Sequence, residues 1–382
     1  MKKQYEVIIV GAGSMGMATG YFLAKRGVST LLIDANDPPH DRGSHHGETR
    51  TIRHAYGEGE HYVPLAIRAQ ELWHELEKES GEHLFSKTGV LCAGHSESSF
   101  IKETIHSAKT YALPIEIMGR DDIHKEWPGL SLPEGTLGCL ETTSGVLFSE
   151  QCIKAYRKLA FDYSADLMTH TPVETISCYS NGVKVQTKDK DYYADKLIIT
   201  AGAWTGELLK DIKLALQPVR KVLGWFESDD GLYNDARFPA FSFDLNNQLF
   251  YGTPSFGGSG VKIGRHDAGQ FVDPNKINRE FGAHHSDEED LRRFLNNYMP
   301  RAAGRLKQGK VCMYTRTPDE DFIIDSHPEY PHVAIAGGFS GHGFKFCSVV
   351  GEILSDLCLT GRTEHDLSPF SLSRGILRCE KC

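Results

Sequence analysis

The chain has 382 residues, 40% apolar and 24% charged; this is the composition of a folded globular protein, long enough for two domains, and it excludes a disordered chain. The net charge of -9 comes from scattered Asp and Glu, which argues against nucleic acid or an anionic membrane as partner. No run approaches eighteen apolar residues, Met1-Lys2-Lys3 leads directly into an apolar run without a cleavable signal, and nine cysteines lack a framework spacing; the reading is a cytoplasmic protein with reduced thiols.

Residues 5–10 form an apolar run that breaks at once into Gly11-Ala12-Gly13-Ser14-Met15-Gly16. The run is short enough only for a buried strand, and a helix is predicted from Ser14 to Lys25 or Arg26, ending at Gly27. Residues 28–33 read as a second strand closed by Asp34. Strand, glycine loop, helix, strand and acid make a dinucleotide-binding unit. Gly11, Gly13, Ser14, Met15 and Gly16 allow close backbone approach, the helix N-terminus holds the pyrophosphate, and Asp34 takes a ribose hydroxyl. Nothing in this unit separates FAD from NAD, so an NAD-dependent dehydrogenase is one reading of it.

Residues 43–54 are unusually dense in His and Arg. Arg50 and Arg53, three apart on a probable helical turn, suggest anion recognition by guanidinium forks. A helix is predicted over 62–78, then short strands and turns from Phe85, with a strand at 89–94, a helix near 99–111 and a loop at Trp127-Pro128-Gly129. Residues 143–147 lead into a helix at 149–160, and 166–173 read as one strand. Asn181-Gly182 signals a hairpin, and the strand 196–200 runs into Ala201-Gly202-Ala203-Trp204 like a second pass of the opening sheet past the nucleotide.

Residues 217–267 are strand-rich, with runs at 222–227, 238–243, 248–251 and 261–266, and predict an antiparallel sheet that builds a pocket against the nucleotide domain. Strand alternation turns Lys262 to the face opposite Val261 and Ile263. A helix at 287–298 and strands at 311–315, 322–325 and 333–336 follow. The run Gly337 to Lys345 then opens a helix from about 344 to 359, a second dipole-bearing position. Cys379-Glu380-Lys381-Cys382 has no partner pair and reads as a solvated tail. The fold class is α/β plus α+β.

Three long strings carry a more specific signal: residues 43–59 (Gly43-Ser44-His45-His46-Gly47-Glu48-Thr49-Arg50 onward), Val311-Cys312-Met313-Tyr314, and Gly338-Phe339-Ser340-Gly341-His342-Gly343-Phe344-Lys345-Phe346. With these the chain resembles the monomeric sarcosine oxidase and N-methyltryptophan oxidase family of flavoproteins over nearly its whole length. The resemblance implies a p-hydroxybenzoate-hydroxylase-like architecture. A Rossmann-like FAD-binding domain would comprise 1–84, 145–215 and 320–382, and a discontinuous antiparallel-sheet catalytic domain 85–144 and 216–319. It implies FAD joined covalently to Cys312, which composition alone does not set apart from a buried structural thiol. Ser44, His46, Arg50, Val173, Gly202, Trp204, Gly341, Gly343 and Lys345 would also border the cofactor.

By the same resemblance, Arg53 and Lys345 clamp the substrate carboxylate, and Tyr251, Tyr314, His266 and His342 wall the substrate. Lys262 is the cation beside which oxygen is reduced, and Arg50 lies near the flavin ring. The implied reaction takes sarcosine, O2 and water to glycine, formaldehyde and hydrogen peroxide, in a monomeric enzyme whose partners are a small substrate and O2. Ser242 and Thr253 stand where sarcosine oxidases typically carry bulky Met and Phe. A longer substrate, N-methyltryptophan or a fructosyl amino acid, therefore stays open, as does a flavin-binding protein without catalysis.

Overall fold

The computed structural model describes residues 5–377. The opening unit forms strand Tyr5–Val10, helix Ser14–Lys25 and strand Thr30–Ile33. Its first strand lies between Thr30–Ile33 and Asp191–Ile199, parallel to both. Val7 to Val10 are all buried; a parallel strand covered on both faces reads as a continuous apolar run for this reason. Gly11 has φ +93°, and a Cβ there would sit 2.5 Å from the carbonyl oxygen of Thr200; one on Gly16 would sit 1.9 Å from the carbonyl of Gly11. Neither position has room for a side chain, so helix and strands meet closely at the loop.

The sheet gathers chain from three places. Asp191–Ile199, which contains the second pass predicted at 196–200, joins the opening sheet beside Tyr5–Val10; Val333–Gly337 pairs parallel with it, and Ile323–Ser326 pairs antiparallel with Val333–Gly337. Residues 166–173 are two strands, not one. Asp166–Met168 extends the sheet beside Thr30–Ile33, whereas Val173–Tyr179 begins the hairpin with Gly182–Thr187 at the other end of the strand order. Pro172 explains the break, since it removes a ladder donor and restrains the residue before it.

A nine-stranded sheet faces this unit, with Gln217–Phe226, Val261–Arg265, Gln248–Thr253 and Ala240–Leu245 as consecutive neighbours. Leu306–Arg316 pairs with Gln217–Phe226. The expected antiparallel order holds within this group, but Ala240–Leu245 runs parallel to Val90–His95. Those two strands come from pieces of chain separated by the excursion through the other sheet, so no hairpin fixes their sense. The far face carries Phe226, Phe241, Phe243 and Phe250 packed on helix Ser286–Tyr298, with Phe250 stacked on Phe294 at 4.3 Å.

Arg50 is not on a helical turn. It belongs to strand Thr49–Ile52, opposite Leu147 of Gly145–Phe148, because Thr49, Thr51 and Ile52 are β-branched and favour extended backbone. The late glycine run opens a 3-10 turn, Phe344–Phe346, before the α-helix Cys347–Thr360, so Lys345 lies in that turn and not in the α-helix. Strand Glu116–Gly119 and helix Arg120–Glu126 were not anticipated. Among the described residues no helix is long and apolar enough to cross a membrane. The Cys379 to Cys382 tail lies outside them.

Candidate active site

A cavity of about 530 Å³ runs between the two sheets. Gly11, Gly13, Ser14, Met15 and Asp34 of the opening unit, together with Ser44 and Arg50, form one side; Val173, Gly202, Trp204, Cys312, Gly341 and Gly343 close it. Three residues expected to border the cofactor do not line this cavity. Gly16 is spent on helix packing, His46 is buried beside Cys312, and Lys345 belongs to a second cavity. His45, Thr171 and Phe344 line the large cavity and were not anticipated.

The lining fits a dinucleotide. Helix Ser14–Lys25 has Gly13 as its cap, no capping side chain and no acid in its first turn, so its N–H groups and positive dipole end face the cavity uncompensated. A Cβ on Gly13 would meet only the His45 ring, at 3.5 Å, which leaves the space over that end clear for a pyrophosphate. Asp34 accepts the Ala12 N–H and the Asn36 N–H, each at 2.8 Å, fixing the loop while it borders the cavity.

Cys312 stands apart from the other thiols among the described residues. Burial works to raise it, but the neighbouring His46 imidazole and the Arg50 guanidinium prevail and bring it down to about 7. Burial pushes Cys92 up to about 11 and Cys139 up to about 12, and Cys152, Cys178, Cys347 and Cys358 are raised as well. Arg50 donates to the carbonyls of Thr49 (2.7 Å), Ser44 (2.9 Å) and His46 (2.6 Å). It therefore fastens the loop that carries His46 against the thiol.

A second cavity, about 70 Å³, adjoins the first and shares Arg50, Tyr251, Gly341 and Phe344 with it. Arg53, Lys345, His342, His266, Lys262, Ser242 and Thr253 all line it. Tyr314 lies in the larger cavity and reaches the smaller one through its hydroxyl, 2.9 Å from that of Tyr251.

Arg53 already holds a carboxylate of the protein itself. It donates to both oxygens of Glu58, at 2.6 and 2.8 Å, and to the Ala55 carbonyl at 2.9 Å. Burial works to raise the Glu58 carboxyl, but Arg53, His342 and Lys345 prevail and hold it at about 2. Lys345 donates to the Tyr56 hydroxyl at 3.0 Å and the His342 carbonyl at 3.3 Å, and burial with the nearby Arg53 brings its ammonium down to about 7. Neither Glu58 nor Tyr56 had been given a role by sequence, although Glu58 between Gly57 and Gly59, five residues from Arg53, was a possible signal.

Burial above all brings His266 down to about 3 and His342 to about 4, so both are neutral hydrogen-bonding rings at neutral pH. Lys262 is buried on the face that strand alternation requires. It donates to the carbonyls of Gly47 (2.7 Å) and Thr49 (2.6 Å) and to the Thr49 hydroxyl (3.1 Å); burial, aided by Arg50, pushes it well below the usual lysine range. Beneath the wall, the unanticipated Lys221 donates to the carbonyls of His266 (2.8 Å) and Ala268 and lies 4.8 Å over the Tyr314 ring. Among the described residues no group of side chains is arranged to hold a metal ion. Four basic side chains and one carboxylate around a small cavity suit a small carboxylate ligand.

The FAD dependent oxidoreductase family profile matches residues 6–357. The chain is 56% identical over 382 residues to a protein described as monomeric sarcosine oxidase from Bacillus sp. (strain B-0618), covering 99% of this chain and 98% of that one. It is 41% identical over 372 residues to N-methyl-L-tryptophan oxidase of Salmonella agona (strain SL483), covering 97% and 99%. The solved structure of L-proline dehydrogenase from P. horikoshii shares the fold, with a TM-score of 0.86 at 21% identity over 98% of both chains.

Proposed function

The chain belongs to the FAD dependent oxidoreductase family, beside the monomeric sarcosine oxidases and N-methyl-L-tryptophan oxidases, and from that membership we propose that it oxidatively demethylates N-methyl amino acids. Sarcosine, O2 and water would give glycine, formaldehyde and hydrogen peroxide, in a monomeric cytoplasmic enzyme. The family removes the NAD reading of the glycine loop. The observation that carries the proposal is the pair of adjoining cavities: a dinucleotide-sized space shares Arg50, Tyr251, Gly341 and Phe344 with a small, cation-lined one.

FAD, when bound, accepts the electron pair and passes it to oxygen. Segments 1–84, 145–215 and 320–382 hold the cofactor, and 85–144 with 216–319 cover it. Cys312, the thiol drawn down to about 7, is the point of covalent attachment. Arg53 and Lys345 grip the substrate carboxylate, which requires Glu58 to give way. The same cations favour the neutral form of the substrate amine that oxidation needs. His266, His342, Tyr251 and Tyr314 orient the N-methyl group. Lys262, buried and directed into the cavity, stabilises the negative charge that develops as oxygen is reduced.

A peroxide assay of the holoenzyme across sarcosine, N-methyl-L-tryptophan, L-proline, L-pipecolate and a fructosyl amino acid tests this. Peroxide and formaldehyde should appear in equal amounts with sarcosine; no peroxide with any of the five overturns the proposal.

A further inference from the structure

The small cavity has a hydroxyl-bearing wall that the demethylation of sarcosine does not use. Ser242 lies directly across the strand ladder from Tyr251, and Thr253 directly across from Lys262. Opposed residues share one face of a sheet, and all four line the cavity. Phe241 and Phe243, the neighbours of Ser242 in sequence, turn the other way into the aromatic core. The hydroxyl of Ser242 therefore points to the site by strand alternation.

Both hydroxyls have hydrogen-bonding capacity to spare. Ser242 makes no side-chain hydrogen bond to any described residue. Thr253 Oγ1 has only Thr49 Oγ1, at 3.3 Å, long for a hydroxyl pair, and Thr49 Oγ1 is already accepting from Lys262. Leu249 lines the cavity with them, and the ammonium of Lys262, opposite Thr253, is already committed to Gly47 and Thr49. A few placed polar groups with unused hydrogen-bonding capacity set the specificity of a site.

Building on the proposed function, we infer that the cavity is selective for N-methyl amino acids whose side chain ends in a short hydroxyl, which Ser242 and Thr253 bind. N-methyl-L-serine is the simplest member. Its hydroxyl satisfies the wall, whereas the methyl of the same-sized N-methyl-L-2-aminobutyrate leaves both protein hydroxyls without partners. A site built to pair a substrate hydroxyl discriminates strongly against the analogue that lacks it. Sarcosine is still accepted. It has no side chain, and the cavity of about 70 Å³ is several times the roughly 10 to 15 Å³ that one water requires, so water can satisfy the wall beside it.

The test is the ratio of kcat/KM for N-methyl-L-serine over N-methyl-L-2-aminobutyrate, read as peroxide formation by the holoenzyme with sarcosine run in parallel. Amine, carboxylate and reacting methyl are the same in both, so the ratio isolates the wall. We expect a ratio of at least about tenfold in the unaltered protein, reduced to near one in Ser242→Ala with Thr253→Val and restored by the hydroxyl-keeping Ser242→Thr paired with native Thr253. A ratio near one in the unaltered protein, with sarcosine turned over, overturns the inference and leaves the demethylase reading standing. A high ratio that survives both hydroxyl deletions also overturns it. Peroxide from none of the three substrates overturns the demethylase reading and this inference with it. Should the double variant fail to fold, the ratio in the unaltered protein and in each single variant decides.

Discussion

Arg53 and Glu58 form a two-point ion pair inside the small cavity, with one guanidinium nitrogen 2.6 and 2.8 Å from the two carboxylate oxygens. A ligand carboxylate must compete with Glu58 for this cation, so the pair sets a threshold for binding. Glu58→Gln removes the competitor and leaves the cavity one charge more positive. The Michaelis constant for sarcosine should then fall by about tenfold, equivalent to roughly 1.4 kcal/mol. Thermal unfolding should move to lower temperature, because Arg53 loses its buried partner. An unchanged or raised constant would show that Glu58 does not compete with the substrate.

Lys345 gives the site a pH dependence. Its ammonium is brought down to about 7 by burial and by Arg53, so below that pH it is a cation that attracts a carboxylate, and above it a neutral amine. Propionate, which has a carboxylate but no amine to titrate, should inhibit with a constant that is flat below about pH 7 and weakens as pH rises. His266 and His342 titrate near 3 and 4 and do not interfere. Lys345→Arg keeps the charge throughout and should abolish the slope; a slope unchanged in that variant would assign it elsewhere.

Much of the dinucleotide side was legible from sequence, because a strand buried on both faces must be apolar throughout and because Gly11 and Gly16 lie where a Cβ would collide with backbone. The small cavity was legible only in part. The spacing of Arg50 from Arg53 suits a helical turn, but the β-branched Thr49, Thr51 and Ile52 favour the strand that forms. Tyr56, which meets Lys345 from 289 positions away, leaves no local pattern. Cys312 is one cysteine among nine in the sequence; only the fold shows that a loop some 268 positions earlier supplies its environment.

Lys262 donates to three oxygens and is buried between the small cavity and Trp225, 5.4 Å over that ring. Lys262→Met keeps the length and removes the charge. If the cation serves oxygen reduction, reoxidation of the reduced enzyme by O2 should slow by about 10²- to 10³-fold, while anaerobic reduction by sarcosine changes far less. Stopped-flow absorbance separates the two half-reactions, and equal slowing of both would reduce Lys262 to a fastener of the loop at Gly47 and Thr49.

Cys312→Ala tests the attachment. The holoenzyme precipitated with acid should keep its yellow colour in the washed pellet, whereas the variant should release all colour to the supernatant. Attachment in apoprotein supplied with FAD should also speed up as pH rises through about 7, since the thiolate is the reactive form. Covalent colour persisting in the variant would point to another residue.

Buried histidines should make the protein sensitive to acid. His266 and His342 are neutral in the fold, at about 3 and 4, but titrate near 6.5 in the unfolded chain. Between those limits the unfolded state binds more protons, so stability is fully present above about pH 6.5 and is lost as pH falls. Each ring steepens the loss by about 1.4 kcal/mol per pH unit once the unfolded state is protonated. Glu58, Glu150 and Glu352, held near 2, continue the loss with the same sign below about pH 4.5. Melting temperature measured from pH 7.5 to 4.5 without substrate should therefore fall steadily below pH 6.5, and His342→Gln should make that fall shallower. An equal slope in the variant would mean that His342 is already protonated in the folded protein, a charge that its burial beside Lys345 and Arg53 opposes.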